Sequence, residues 1–233
     1  MIDSAKFILS KKKIIEQYNK IKDMCDVVSY SAKTNYEIAT LLEELTNCMF
    51  SVHSGESLSK IKDKNRIWFF AQGLDEEELN NIIGSGVRKF VIDNENDLNT
   101  LIKYVNNKNI PISLLLRMRL KENTIHTGKY FVFGMYSSQV NRLIPELRKN
   151  KNIDKLGIHF HRKTQNVSEW NLIFELKNAL NDETLKNVDY VNIGGGFPVK
   201  YKNFRADVLN SIFKEVSELK EWLKIYGVKM IIE

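Results

Sequence analysis

Val27-Val28-Ser29-Tyr30-Ser31-Ala32-Lys33-Thr34-Asn35 begins as a β-branched run and ends in small and polar residues. The run suits a buried strand, and a helical pattern through Ile38, Leu41, Leu42 and Leu45 takes over directly after it. In a strand, residues two apart share a face. Lys33 is therefore read on the face of Ser31 and Ser29, with Val28, Tyr30 and Ala32 on the other. A lysine at such a strand end can reach a pocket, and an amine that gives up its proton there can form a Schiff base with an aldehyde. A solvated lysine that merely ends the strand is the plainer reading of this stretch by itself.

The strand-then-helix unit recurs outward from there. Apolar runs at 48–54, 67–72, 89–93, 112–118, 155–160, 190–193 and 228–233 read as further strands. Helical patterns fall over 36–47, 57–62, 75–83, 98–105, 140–147, 167–180 and 205–226. A short strand at 6–10 and a helix carrying Ile14, Ile15, Tyr18 and Ile21 precede the Lys33 strand. Eight strands alternating with helices predict a parallel (β/α)8 barrel, and near-continuous apolar strands are what such a covered sheet needs. No eighth helix follows the last strand. The outer faces of Met230 and Ile232 are thus expected to meet solvent, and 1–233 is expected to be a barrel domain truncated at strand eight.

The composition suits that size. The chain has 233 residues, 43% of them hydrophobic, with three Trp, nine Tyr and twelve Phe, enough for one large core. Net charge is +6, spread as single Lys and Arg residues; the densest cluster, Lys11-Lys12-Lys13, suits a solvated helix start better than a nucleic-acid surface. No apolar run reaches membrane-spanning length, and Asp3 and Lys6 interrupt any leader-like run. Two cysteines without metal spacing, Cys25 and Cys48, suit a reducing compartment. The expectation is a cytoplasmic protein with no nucleic-acid or membrane partner.

Active sites in this barrel lie at the C-terminal ends of the strands. Strand parity turns Lys33, Arg117, His159, His161, Asn192 and Glu233 toward one mouth. Each has a structural alternative: a satisfied core histidine, or an Arg117 ion pair with Glu233 or Asp93. His159 and His161 also have the i, i+2 spacing of a metal pair, but no third ligand has an obvious matching place, so no metal is expected. Gly194-Gly195-Gly196 lacks the spacing of a dinucleotide fingerprint, though such backbone can hold a phosphate.

These residues together resemble the barrel domain of the fold-type III pyridoxal-phosphate decarboxylases, which act on ornithine, diaminopimelate, arginine and carboxynorspermidine. Tyr30-Ser31-Ala32-Lys33-Thr34-Asn35 is similar to the cofactor-lysine motif, and Gly157-Ile158-His159-Phe160-His161 to the motif whose last histidine lies against the cofactor ring. Asn192-Ile193-Gly194-Gly195-Gly196-Phe197-Pro198 resembles the phosphate-binding turn, and Ile231-Ile232-Glu233 the start of a Glu-Pro-Gly-Arg motif. The resemblance implies a barrel of the alanine racemase type, with the family's C-terminal β domain absent from this chain. It implies pyridoxal 5'-phosphate held as an aldimine by Lys33, with Glu233 at the pyridine nitrogen and His161 on the ring. Gly194, Gly195, Gly196 and Thr164 would hold the phosphate, and Arg117 would touch the cofactor from strand five. Lys33, His161 and Glu233 would be the catalytic residues.

Arg162-Lys163-Thr164 stands where the family often has glycine and serine, and Ser51 and His53 stand where an acidic residue is usual. The implied activity is decarboxylation of a basic or diamino acid, as in polyamine biosynthesis. A homodimer is implied for the full-length protein, and little turnover for 1–233 alone. A single-domain pyridoxal-phosphate-binding protein without turnover and a racemase of related fold are the alternatives.

Overall fold

The computed structural model describes residues 8–120, 133–162, 167, 170–198 and 206–233. Eight parallel strands form one closed barrel in sequence order. They are β1 (Val27–Ser31), β2 (Met49–Val52), β3 (Ile67–Ala71), β4 (Lys89–Ile92), β5 (Ile112–Arg117), β6 (Ile153–His159), β7 (Tyr190–Asn192) and β8 (Lys229–Ile232). Pairing of Val27 with Ile231 and of Val28 with Ile232 closes the ring. The outer helices are α1 (Lys11–Met24), α2 (Tyr36–Leu45), α3 (Gly55–Lys60), α4 (Glu76–Gly84), α5 (Glu95–Lys108), α6 (Ser137–Leu147), α7 (Leu172–Ala179), α8 (Asp182–Lys186) and α9 (Ala206–Ile225).

The turns that leave the strands carry their own helix starts. The side chains of Asn35, Ser54, Asp75 and Asn94 each accept from a backbone N–H in the first turn of α2, α3, α4 and α5. Each cap satisfies a donor that a helix start leaves open. Each helix is thereby started within a few residues of the barrel mouth, which fixes where the strand-end side chains stand.

Alternation then splits every strand between two cores. Phe50, Phe90, Leu114, Ile158, Met230 and Ile232 are fully buried in the layer between barrel and helices. Trp68, Phe70, Val91, Leu115 and Ile231 fill the barrel interior, with Val27, Met49 and Tyr190 beside them. Gly157 makes room there: a Cβ on it would lie 2.6 Å from Leu115 Cδ2 and strike the Tyr190 carbonyl.

Four expectations from sequence need correction. Met230 and Ile232 do not meet solvent; both are fully buried in the core that includes Tyr18 and Met24 of α1. The helix before β1 packs on β1, α2 and α9, and α9 packs on β8, so the closing side of the barrel is covered from the N-terminal end. A groove of about 510 Å³ lined by Ile14, Tyr18, Ile21, Val28, Tyr30 and Leu42 remains beneath α1. Secondly, Ile8–Ser10 is not a strand, and the rest of 6–10 lies outside the described residues. Thirdly, the helix read over 167–180 is shorter and is followed by a separate short helix, α8. Fourthly, β1 ends at Ser31, so Lys33 sits in a turn closed by Thr34 N–H donating to Ser31 O at 3.1 Å.

Candidate active site

One row of paired residues crosses the C-terminal mouth: Arg117 pairs with His159, His159 with Asn192, and Asn192 with Ile231. Parallel register at this height sets Arg117, His159 and Asn192 side by side on the inner wall. Glu233 follows directly on β8, and its backbone N–H donates to Gly194 O at 2.9 Å. The end of β8 is thereby tied to the glycine turn after β7.

Asn192 makes the second tie. It is fully buried, its Nδ2 donates to Glu233 Oε1 at 3.0 Å, and its Oδ1 accepts from Gly194 N–H at 2.8 Å. One side chain thus orients both the carboxylate and the turn. Gly194 needs to be glycine: its φ is +65°, and a Cβ there would lie 2.6 Å from Phe160 O and 2.8 Å from His161 Nδ1. Gly195 N–H donates to His161 Nδ1 at 3.3 Å, which joins the turn to the histidine two residues past β6.

The electrostatics are those of a dry cup with positive charge at its rim. Burial pushes the Glu233 carboxyl up, while hydrogen bonds from Asn192 and Ser51 and the charges of Arg117 and Lys33 pull it back. His159 is 1% exposed, and burial, then Arg117, His161 and His53, push its imidazole far down. It is held neutral, and neither ring nitrogen has a hydrogen-bond partner. His161 keeps solvent contact at the rim, yet the surrounding wall first, then Arg117 and Lys33, lower it to about 4. Arg117 lies within the field of both Asp93 and Glu233.

Two features escaped the sequence reading of roles. His53, just past β2, stacks on Phe70 with ring centroids 4.5 Å apart, and Phe70 meets His159 edge-on at 5.0 Å. Burial, Lys33, Arg117 and His161 lower His53 to about 4, so it belongs to the same mouth. Its signal was its parity with Ser51. The second feature is the third partner for His159 and His161: the fold brings Glu233 to them, with one donor atom of each within 4.8 Å of the others. Arg162 instead turns into the wall and pairs with Glu175 at 2.9 Å. Thr164 lies outside the described residues.

The sequence profile of a family described as pyridoxal-dependent decarboxylase, pyridoxal binding domain, matches residues 11–233. The chain belongs to this family. Among relatives of this pyridoxal binding domain, the 2-[(L-alanin-3-ylcarbamoyl)methyl]-2-hydroxybutanedioate decarboxylase of Staphylococcus aureus is 26% identical over 197 residues, 78% of this chain and 48% of the relative. The diaminopimelate decarboxylase of Bacillus methanolicus is 24% identical, over 87% of this chain and 52% of the relative. The chain therefore spans about half the length of these relatives. Among solved structures, a diaminopimelate decarboxylase from M. jannaschii superposes with a TM-score of 0.78 at 19% identity, over 97% of this chain and 59% of that one. A lysine/ornithine decarboxylase from Vibrio vulnificus gives 0.75 at 18% identity, over 96% and 60%. At these identities the superpositions speak for the fold of the pyridoxal binding domain. No helix among the described residues is long and apolar enough to cross a membrane.

Proposed function

We propose that this barrel is the cofactor-holding part of a decarboxylase acting on a basic or diamino acid, with Lys33 as the covalent anchor. One observation supports it above the others. The Asn192 side chain ties Glu233 to the glycine turn, and Lys33, Arg117 and His161 stand at that same mouth. The relatives' names, diaminopimelate decarboxylase and biosynthetic arginine decarboxylase, support the substrate class.

The residues present fit pyridoxal phosphate. The mouth sets two cations, Lys33 and Arg117, around a buried carboxylate, which suits an anionic ligand with a basic ring nitrogen. Buried nitrogens of His159 and His53 without hydrogen-bond partners mark a wall built to face something other than bulk water. Bound cofactor supplies an electron sink for the carbanion left when carbon dioxide departs. Lys33 would hold the cofactor covalently through its Nζ. Glu233, oriented by Asn192, would hold a proton at the pyridine nitrogen. His161, two residues past β6 at the rim, would lie against the ring, ahead of the buried His159. Gly194, Gly195 and Gly196 would offer backbone N–H groups to the phosphate, with Thr164 and the charge of Arg117 beside them. The working enzyme would be a homodimer.

Borohydride reduction of protein loaded with pyridoxal phosphate, followed by peptide mapping, tests this. The label is expected on Lys33 and is expected to vanish in Lys33→Ala. A label on another lysine, or none, ends the assignment. Replacing His161 with alanine should weaken cofactor binding more than replacing His159, read from the absorbance titration of each variant. Equal losses would remove the stacking role.

A further inference from the structure

We infer that, when no cofactor occupies the mouth, His159, His161 and Glu233 form a site for one divalent transition-metal ion. One nitrogen of each histidine and one carboxylate oxygen lie within 4.8 Å of one another. Two imidazoles and one carboxylate with a fourth position open to water are an established donor set for zinc. Zinc-to-ligand bonds of 2.0–2.1 Å in a tetrahedron place neighbouring donor atoms about 3.3 Å apart. His159 Nε2 and Glu233 Oε1 are already 3.5 Å apart. His161, solvent-exposed at the rim, would have to close the remaining gap by shifting its ring, at the expense of the bond its Nδ1 accepts from Gly195 N–H if that nitrogen is the ligand.

A second observation points to a ligand. His159 is 1% exposed, and neither of its nitrogens has a hydrogen-bond partner. A buried polar group left that way carries a desolvation cost that a bound ion would relieve. The carboxylate is also pre-set, since Asn192 Nδ2 donates to its Oε1 at 3.0 Å. Arg117 and Lys33 oppose any cation here. The choice of ion follows from the donors: two imidazole nitrogens favour zinc, cobalt or nickel over magnesium and calcium, which depend on oxygen ligands.

The metal would use His161 and Glu233, which the reading above gives to pyridoxal phosphate, so the two ligands exclude each other. That exclusion rests on the proposed cofactor assignments; the donor cluster itself does not. By linkage, cofactor saturation must release metal, and metal must weaken cofactor binding by the same factor.

The test uses cobalt(II) as a visible probe on chelator-stripped protein. One equivalent is expected to give saturable d–d absorbance, lost on addition of zinc. His159→Ala and His161→Ala should each weaken binding more than about tenfold. His161 stands at the rim, so its variant keeps the fold and decides the matter if the buried variant does not. Lys33→Ala should lose the borohydride label yet retain cobalt, which separates failure of the lysine assignment from failure of the metal site. Pyridoxal phosphate added to the unaltered protein should abolish the cobalt spectrum. No saturable spectrum, equal binding by His161→Ala, or cobalt retained beside bound cofactor would each overturn the inference.

Discussion

The helix-facing layer and the C-terminal mouth are built from alternate residues of the same strands, and they follow opposite rules. Phe50, Phe90, Leu114, Ile158 and Met230 lose all contact with water and carry no polar group to satisfy. One residue away, on the inner face, His159 and Asn192 bring hydrogen-bonding capacity into an equally dry place, with the half-buried Arg117 bringing charge beside them. The first layer lowers free energy by burial alone, about 25 cal/mol per Å² of apolar surface. The second keeps unpartnered nitrogens and a carboxyl pushed up by burial, and so stores a binding site at the expense of stability. A substitution in the first layer should therefore act on folding, and one in the second on ligands.

The largest effect is expected in the first layer. Phe50 is fully buried on β2, and the Arg66 guanidinium lies 5.1 Å from its ring centroid. Phe50→Ala should cost about 3–5 kcal/mol, a large part of an ordinary domain's stability. The urea midpoint should fall accordingly, while borohydride labelling of the folded fraction persists. A variant as stable as the parent would break the distinction.

The fold was legible because strand and helix patterns alternate along the whole chain. Near-continuous apolar runs mark each strand, and amphipathic helical patterns follow them in strict alternation. What covers the closing strands was not legible. Val27 pairs with Ile231 across nearly the whole chain, and no local pattern says that α1, which precedes the barrel, completes the cover of β8 and β1. That is why Met230 and Ile232 were wrongly expected to be wet. The inner residues could be listed by parity, but their partnerships could not. The Asn192–Glu233 bond joins positions 41 apart, and His53 meets Phe70 only through the neighbouring strand. Lys33 shows where parity fails: alternation holds only while the strand lasts, and β1 ends two residues earlier.

Asn192 should give an intermediate effect on both properties, because it sits at the boundary between the two rules. Asn192→Ala leaves Gly194 N–H and the Glu233 carboxyl without their partner. Buried groups stranded in this way cost about 1–3 kcal/mol. Cofactor affinity should fall as well, since both the carboxylate and the glycine turn lose their common tie. Asn192→Asp, which keeps an acceptor for Gly194 but places a second acceptor opposite Glu233, should restore the turn and not the carboxylate. Calorimetry and cofactor titration on the two variants would separate these contributions. If both variants bind cofactor as the parent does, Asn192 does not position the site.

The smallest effect, and the most specific, is on the pH dependence of the cofactor-free barrel. His53 falls from 6.5 to about 4 on folding, first because it is buried and then because Lys33, Arg117 and His161 oppose its charge. His161 is lowered to the same region, and His159 is lowered too by its burial. A histidine depressed in the folded state binds its proton more readily when unfolded, so the unfolded chain takes up protons first. The stabilisation is therefore complete above 6.5 and drains away as the pH falls from there through about 4. Glu233, raised by burial, acts with the opposite sign, but only as the pH drops through its own raised value toward 4.5. The two can be told apart by replacing His53 with phenylalanine, which preserves an aromatic ring against Phe70 and accepts no proton. Denaturation midpoints measured at intervals from neutral pH downward should fall less steeply in this variant than in the parent. The histidine contribution at position 53 is absent if the two curves run parallel.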